Sequence, residues 1–225
     1  MRYLIALFAL LLVPAVYGQG HGLTVSPENR CGEYNSRDYS YSPTVEASII
    51  NRQGGIYSPY NLECFQDRGE TDIEHIVARS EAHDSGLCAA SVMTRKRFAQ
   101  DLDNLTLAAP NLNRRIKVAK DVAEWMPTEN KCWYVNAIIK VKRKYGLTVD
   151  QRESDVLNEW LGRCQSFDMV KPRCSTVSTP RRSGKCGPYS NCTALRRDHP
   201  GGVARGHCAY KSRMDRDKDG WACER

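Results

Sequence analysis

Asp72-Ile73-Glu74-His75-Ile76-Val77 alternates polar and apolar side chains and then turns apolar, as a short strand with one buried face does. Leu105-Thr106-Leu107-Ala108 is a second strand-like run, broken by Pro110. Asn111-Leu112-Asn113 then reads as the start of a helix. Outward from this strand pair the patterns are helical. A helix is expected at Thr44 to Gln53, and Thr94 is placed to cap one over Arg95 to Leu102. From Trp133 to Tyr145, the residues Tyr134, Ile138, Val141 and Tyr145 recur at helical spacing, with Lys140, Lys142, Arg143 and Lys144 mainly elsewhere on the wheel. Gly146 ends that run. Another helix is expected from about Gln151 to Cys164, with Val156, Trp160 and Leu161 on one side. Residues 19–70 are rich in Tyr, Ser, Gly and Pro and read as loop. The expected fold class is α+β: a mostly helical domain with a small strand pair.

The chain has 225 residues, 41% hydrophobic and 26% charged. These are ordinary globular values, which argue against long disorder, and neither collagen-like triplets nor heptads suggest a fibre. The one long apolar run, residues 3–17, is short for a bilayer span. Arg2 precedes it and small residues follow near Val16-Tyr17-Gly18, the layout of a secretory signal peptide over residues 1–18. With that segment removed no membrane span is expected. Ten cysteines behind a signal peptide read as disulfides formed in an oxidising compartment, extracellular or periplasmic. There is no C-x-x-C pair, which argues against a zinc ribbon or a thioredoxin-like site.

Charge is distributed unevenly. Residues 19–173 hold 21 Lys+Arg and 21 Asp+Glu, whereas residues 174–225 hold 11 and 5. That asymmetry divides the chain into a neutral domain at 19–173, a Ser/Thr/Pro-rich linker at 174–185 and a basic module at 186–225. Within the neutral domain, nine basic residues and three acids lie between Asn113 and Tyr145. Arg114, Arg115, Lys117 and Lys120 head this cluster and are candidates for phosphate contact, although a solvated helix face has the same composition.

Glu74-His75 closes the first strand, and Asn104 and Asn113 bracket the second. A histidine near its ordinary pKa accepts a proton from water. Carboxylate and amide oxygens are hard donors suited to Mg²⁺ or Mn²⁺. Thr71 to Cys88 (TDIEHIVARSEAHDSGLC), Asn104 to Asn113 (NLTLAAPNLN) and Lys120 to Pro127 (KDVAEWMP) resemble the secreted HNH-type endonucleases of the ββα-metal class. Cys132-Trp133-Tyr134 and Tyr145 to Asp150 extend the resemblance, which runs over roughly residues 30–164. It implies a ββα-metal core within the helical domain, with His75 as general base and Asn104 fixing the loop that orients it. Glu74 and Asn113 would bind the metal. Asp72, two residues back on the same strand face, is an alternative to Glu74, because the position before the histidine is more often Asp in such proteins. The last HNH position is often His, and here no histidine lies between His83 and His199. Structural roles are expected for His83 and Asp84. Asn104-Leu105-Thr106 also fits the N-x-[ST] pattern, and no glycan is expected on a loop-fixing Asn.

At the C-terminus, Asp215, Asp217 and Asp219 with Gly220 repeat the first half of an EF-hand loop, and Trp221 stands where a backbone carbonyl is used. An acid expected at position 12 is found at 10, as Glu224, and the chain ends at 11, so a standard EF-hand is excluded. Asn191-Cys192, Gly201-Gly202-Val203, Gly206-His207 and the ending DRDKDGWACE resemble the excalibur calcium-binding domain. That resemblance implies Ca²⁺ on Asp215, Asp217, Asp219 and Glu224. A module of this size buries little core and needs staples. Cys192 with Cys223, Cys186 with Cys208 and Cys132 with Cys164 are the favoured pairs, leaving Cys31, Cys64, Cys88 and Cys174 open.

The expected activity is metal-dependent, largely non-specific cleavage of DNA, with RNA also admitted, by a monomer. The alternative is a calcium-dependent binding protein on a degenerate nuclease fold, whose basic tail engages nucleic acid or an acidic cell-surface polymer. A metalloprotease is disfavoured because H-E-x-x-H is absent.

Overall fold

A computed structural model describes residues 20–174, 186–204, 207–216, 218 and 221–223. The signal-like segment, most of the linker, Asp217, Asp219 and Glu224 lie outside the described residues. Strand β1 (Asp72–His75) pairs antiparallel with β2 (Leu105–Ala108), with Ile73 opposite Leu107 and His75 opposite Leu105. β1 is shorter than the six residues its pattern suggests. Val77 is drawn out of the ladder because Asn104 takes both its N–H and its carbonyl.

Helix α1 (Val45–Gln53) packs Ile49 against Leu105 and Leu107 of the sheet. Short α2 (Arg79–Asp84) follows β1. Helix α3 spans Val92–Ala99 rather than Arg95 to Leu102, because Ser91, not Thr94, supplies the cap: its Oγ accepts the Thr94 N–H at 3.2 Å. The helix expected from Asn111 is a π-helical turn, Leu112–Lys117.

Helices α4 (Lys131–Tyr145) and α5 (Gln151–Arg163) close the domain. Tyr134, Ile138 and Val141 of α4 enter the main core with Tyr60, Phe98 and Leu157. Gly146 ends α4 at φ 65°, in the left-handed region glycine tolerates, and Asp150 caps α5 through the Glu153 N–H. Lys142 departs from the expected solvent-facing position. Its Nζ is buried 2.7 Å from both Glu81 and Glu153 and donates to the Thr148 carbonyl at 3.0 Å, tying α2, α4 and α5 together.

The C-terminal part has its own small core of Tyr189, Leu195, Val203, Ala209, Met214 and Ala222. It comprises helix α6 (Cys192–Asp198) and a hairpin of β3 (Val203–Ala204) and β4 (Trp221–Ala222). Five disulfides join Cys31 to Cys88, Cys64 to Cys174, Cys132 to Cys164, Cys186 to Cys208 and Cys192 to Cys223. Among the described residues, no helix is long and apolar enough to cross a membrane.

Candidate active site

The end of β1 carries the candidate base. His75 is buried, and its Nε2 lies 2.8 Å from the Ala99 carbonyl. A carbonyl only accepts, so Nε2 holds the proton and Nδ1 keeps a lone pair. Burial, reinforced by the Arg79 guanidinium and Lys117 against the Ala99 hydrogen bond, lowers the His75 pKa to about 3. The imidazole is therefore neutral at physiological pH. The Tyr41 ring meets it edge-on with centroids 5.2 Å apart, and Arg79 stacks over Tyr41.

Asn104 is fully buried. Its Oδ1 accepts from Val77 N–H at 2.8 Å, its Nδ2 donates to Val77 O at 3.1 Å, and its own carbonyl accepts from Ile76 N–H. The chain leaving His75 is thereby clamped to the start of β2. A glycan on Nδ2 would have to displace the Val77 carbonyl.

The acids separate into two environments. Glu74 is 2% exposed, and its Oε1 lies 2.7 Å from the Lys117 ammonium, itself wholly buried. Burial raises the Glu74 pKa, and Lys117 opposes that shift. Lys117 also donates to the His75 carbonyl at 2.9 Å. Lys117 is thus withdrawn from the phosphate-facing role expected of it: the π-helical turn points it inward, where only a carboxylate compensates its charge. Asp72 lies instead on the rim. Asn113 Nδ2 donates to its Oδ2 at 3.0 Å, and the exposed Arg114 guanidinium grips both carboxylate oxygens at 2.7 and 2.5 Å. Arg115 and Lys120 are exposed.

Two adjoining cavities share Tyr41, Ile73, Asn113 and Arg114: one reaches His75, Glu74 and Arg79, and the other reaches Asp72. Asp72 and Asn113 offer hard oxygens beside the His75 cavity, and Arg114 already stands on Asp72 as a cation. This donor set fits a divalent metal, since one exposed side chain can yield its place. Glu74 fits less well, because a metal there would have to share a dry pocket with the Lys117 charge. His83 and Asp84 have structural partners: His83 lies between the Tyr39 hydroxyl and the Gly32 carbonyl, and Asp84 pairs with Arg30.

Asp215 is buried and its Oδ2 accepts from the Tyr210 hydroxyl at 2.5 Å, while the chain turns through φ 60° at Lys218. A buried carboxylate oxygen is a hard donor that suits a hard cation. A further acidic group, Glu28, Asp121 and Asp150, brings carboxylate oxygens within 4.8 Å of one another. Asp121 and Asp150 already accept backbone N–H groups there as caps.

The neutral His75 is thus held beside the rim groups Asp72 and Asn113. Residues 32–160 match the family described as GmrSD restriction endonucleases, C-terminal domain. The chain belongs to that family. Residues 189–224 match the Excalibur calcium-binding domain, so an endonuclease-family domain is followed by a calcium-binding one. A secreted protein of Arthroderma benhamiae, described as uncharacterized, is 30% identical over 147 residues, covering 64% of this chain and 72% of that protein. The SPbeta prophage-derived endonuclease YokF of Bacillus subtilis is 51% identical over 43 residues, 19% of this chain and 14% of that protein. No solved structure matches the chain. The secreted relative and the five disulfides mark an extracellular protein.

Proposed function

We propose that the chain is a secreted, metal-dependent, largely non-specific endonuclease of the HNH type that hydrolyses phosphodiester bonds of DNA, with RNA as a second substrate. The observation that carries this reading is the neutral His75, whose Nε2 proton is held by Ala99 O while Nδ1 remains free to accept. His75 takes a proton from water at Nδ1, and the resulting hydroxide attacks phosphorus. The bond to the 3′ oxygen breaks, leaving 5′-phosphate and 3′-hydroxyl ends. Burial first, and the Arg79 guanidinium second, lower the His75 pKa in the free protein, and an anionic diester beside Arg79 offsets the guanidinium's share of that shift. Asn104 positions the imidazole through its clamp on Val77. Asp72 and Asn113 are the assigned holders of Mg²⁺ or Mn²⁺, which supplies Lewis-acid stabilisation of the departing oxygen. Glu74 is assigned to Lys117 instead. Arg114, Arg115 and Lys120 attract the backbone without reading bases. Residues 1–18 direct export as a signal peptide and are removed, and the mature chain acts as a monomer.

The test is nicking of a plasmid by the oxidised protein in EDTA, Mg²⁺, Mn²⁺ and Ca²⁺, with His75→Ala in parallel. Cleavage in Mg²⁺ or Mn²⁺ is expected to fall by about 10²–10⁴-fold in the variant. Full activity in His75→Ala would refute the mechanism. Salt-sensitive binding without cleavage would favour a calcium-dependent binding protein.

A further inference from the structure

The C-terminal hairpin lies against the mouth of the candidate active site. Arg68, in the turn just before β1, is only 4% exposed although it carries a charge. Its guanidinium carbon stands 4.5 Å from the centroid of the Trp221 ring of β4. Its Nε is 3.7 Å from Glu46, whose other oxygen accepts from Thr71 at 3.3 Å. The Thr71 N–H in turn donates to the Arg68 carbonyl, so the stacked arginine is fastened to the residue before Asp72.

A second contact lies beside it. A Cβ built on Gly69 would stand 2.7 Å from the Gly201 Cα, and the Asp67 carboxylate fills the space a Gly201 Cβ would need. The two backbones meet only because both positions are glycine. Pro200 and Gly201 consequently line the same cavity as Asp72, Asn113 and Arg114. Trp221 is the seventh residue of the segment that begins at Asp215, so the residue that stacks on Arg68 belongs to the calcium loop itself.

We propose that the calcium-binding module forms the second wall of the nuclease cleft. Trp221 on Arg68 and Gly201 on Gly69 set the width of the entrance to Asp72, Asn113 and His75, so calcium held by the tail governs substrate binding and not the chemical step. This rests on the nuclease reading for its kinetic consequence, but the docking itself does not. Docking and calcium binding are reciprocal: whatever seats the hairpin tightens calcium, and calcium seats the hairpin.

The experiment uses the full oxidised chain as wild type, Gly69→Ala and Arg68→Gln. Both substitutions lie outside the calcium loop and the assigned catalytic residues, and circular dichroism checks that each variant is folded. Calcium affinity is read by titration calorimetry without nucleic acid. It is expected to be about tenfold weaker in both variants. Duplex cleavage is then followed in excess Mg²⁺, with calcium saturating or removed by EGTA. In the wild type, calcium removal is expected to raise KM about tenfold with kcat nearly unchanged, and in the variants calcium no longer alters KM. Equal calcium affinity in all three proteins, or an undiminished KM response in the variants, would overturn the proposal. If none of the proteins cleaves, the nuclease reading fails, and the calorimetry still decides docking: unequal affinities uphold it and equal ones overturn it.

Discussion

At His75, burial and the Arg79 guanidinium act in the same direction, and both disfavour the imidazolium. The unfolded chain takes up this proton near pH 6.5 and the folded one only near pH 3. Stability therefore falls as pH drops through that interval, because the unfolded state binds the extra proton. Acid unfolding followed by circular dichroism is expected to be shifted to lower pH in His75→Gln. For the same reason kcat/KM, which reports the free enzyme, is expected to have no acid limb from His75 above about pH 4. A limb at the ordinary histidine pKa would place the base elsewhere. The two acids of β1 separate by substitution. Lys117→Ala strands the Glu74 charge and is expected to cost about 3–5 kcal/mol by denaturant melting. The double variant Glu74→Gln with Lys117→Met removes both charges together. It is expected to retain Mg²⁺-dependent cleavage within about tenfold, whereas Asp72→Ala loses about a hundredfold or more. His75 could be proposed from the sequence because its neighbours form a recognisable block. The Glu74–Lys117 pair was not, since a lysine in a basic run looks solvated until the π-helical turn directs it inward.

Among the elements, the small sheet depends on a side chain that is not part of its ladder. Asn104→Ala leaves the N–H and carbonyl of Val77 without partners, at about 1–3 kcal/mol for each buried group. Thermal denaturation is expected to show that loss, and kcat to fall with it as His75 loses its orientation. The α2–α4–α5 junction has the opposite pH response to His75. Burial, with the Glu81 carboxylate adding repulsion and Lys142 opposing both, pushes the Glu153 pKa up to about 8. The folded state then binds a proton that the unfolded state releases near pH 4.5, so stability contributed here falls as pH rises from there to about 8. Glu153→Gln is expected to flatten the fall in melting temperature between pH 5 and about 8.5. Helical spacing revealed the apolar face of α4 but not the burial of Lys142, because periodicity shows which side faces inward and not which charges meet there. The Thr94 cap failed for a local reason: Ser91 stands three residues earlier and takes the N–H of Thr94 itself, so the helix has already begun at Val92.

For the whole molecule, the uneven charge and the cysteine usage divide the sequence into two parts, and three of the disulfide pairs follow the favoured pattern. The contact between the parts was not legible, because a buried arginine and a pair of opposed glycines have no periodicity to detect. The disulfide between Cys64 and Cys174 closes a separation of 110 residues, for which chain entropy suggests up to about 4.7 kcal/mol. Replacing both cysteines with alanine is expected to lower stability by about 2–5 kcal/mol in urea melts. Its location has a second consequence. Cys174 is the first residue of the linker and the one of it that is described, and Cys64 lies four positions before Arg68. The bond therefore moors the start of the tether close to the turn on which the hairpin rests. A mooring of that kind keeps the module at a local concentration in the millimolar range, so one stacked arginine and one glycine contact suffice to retain it. Cutting the mooring would move the start of the tether back toward Val170, which Asn130 holds at both its N–H and its carbonyl, and lower that local concentration.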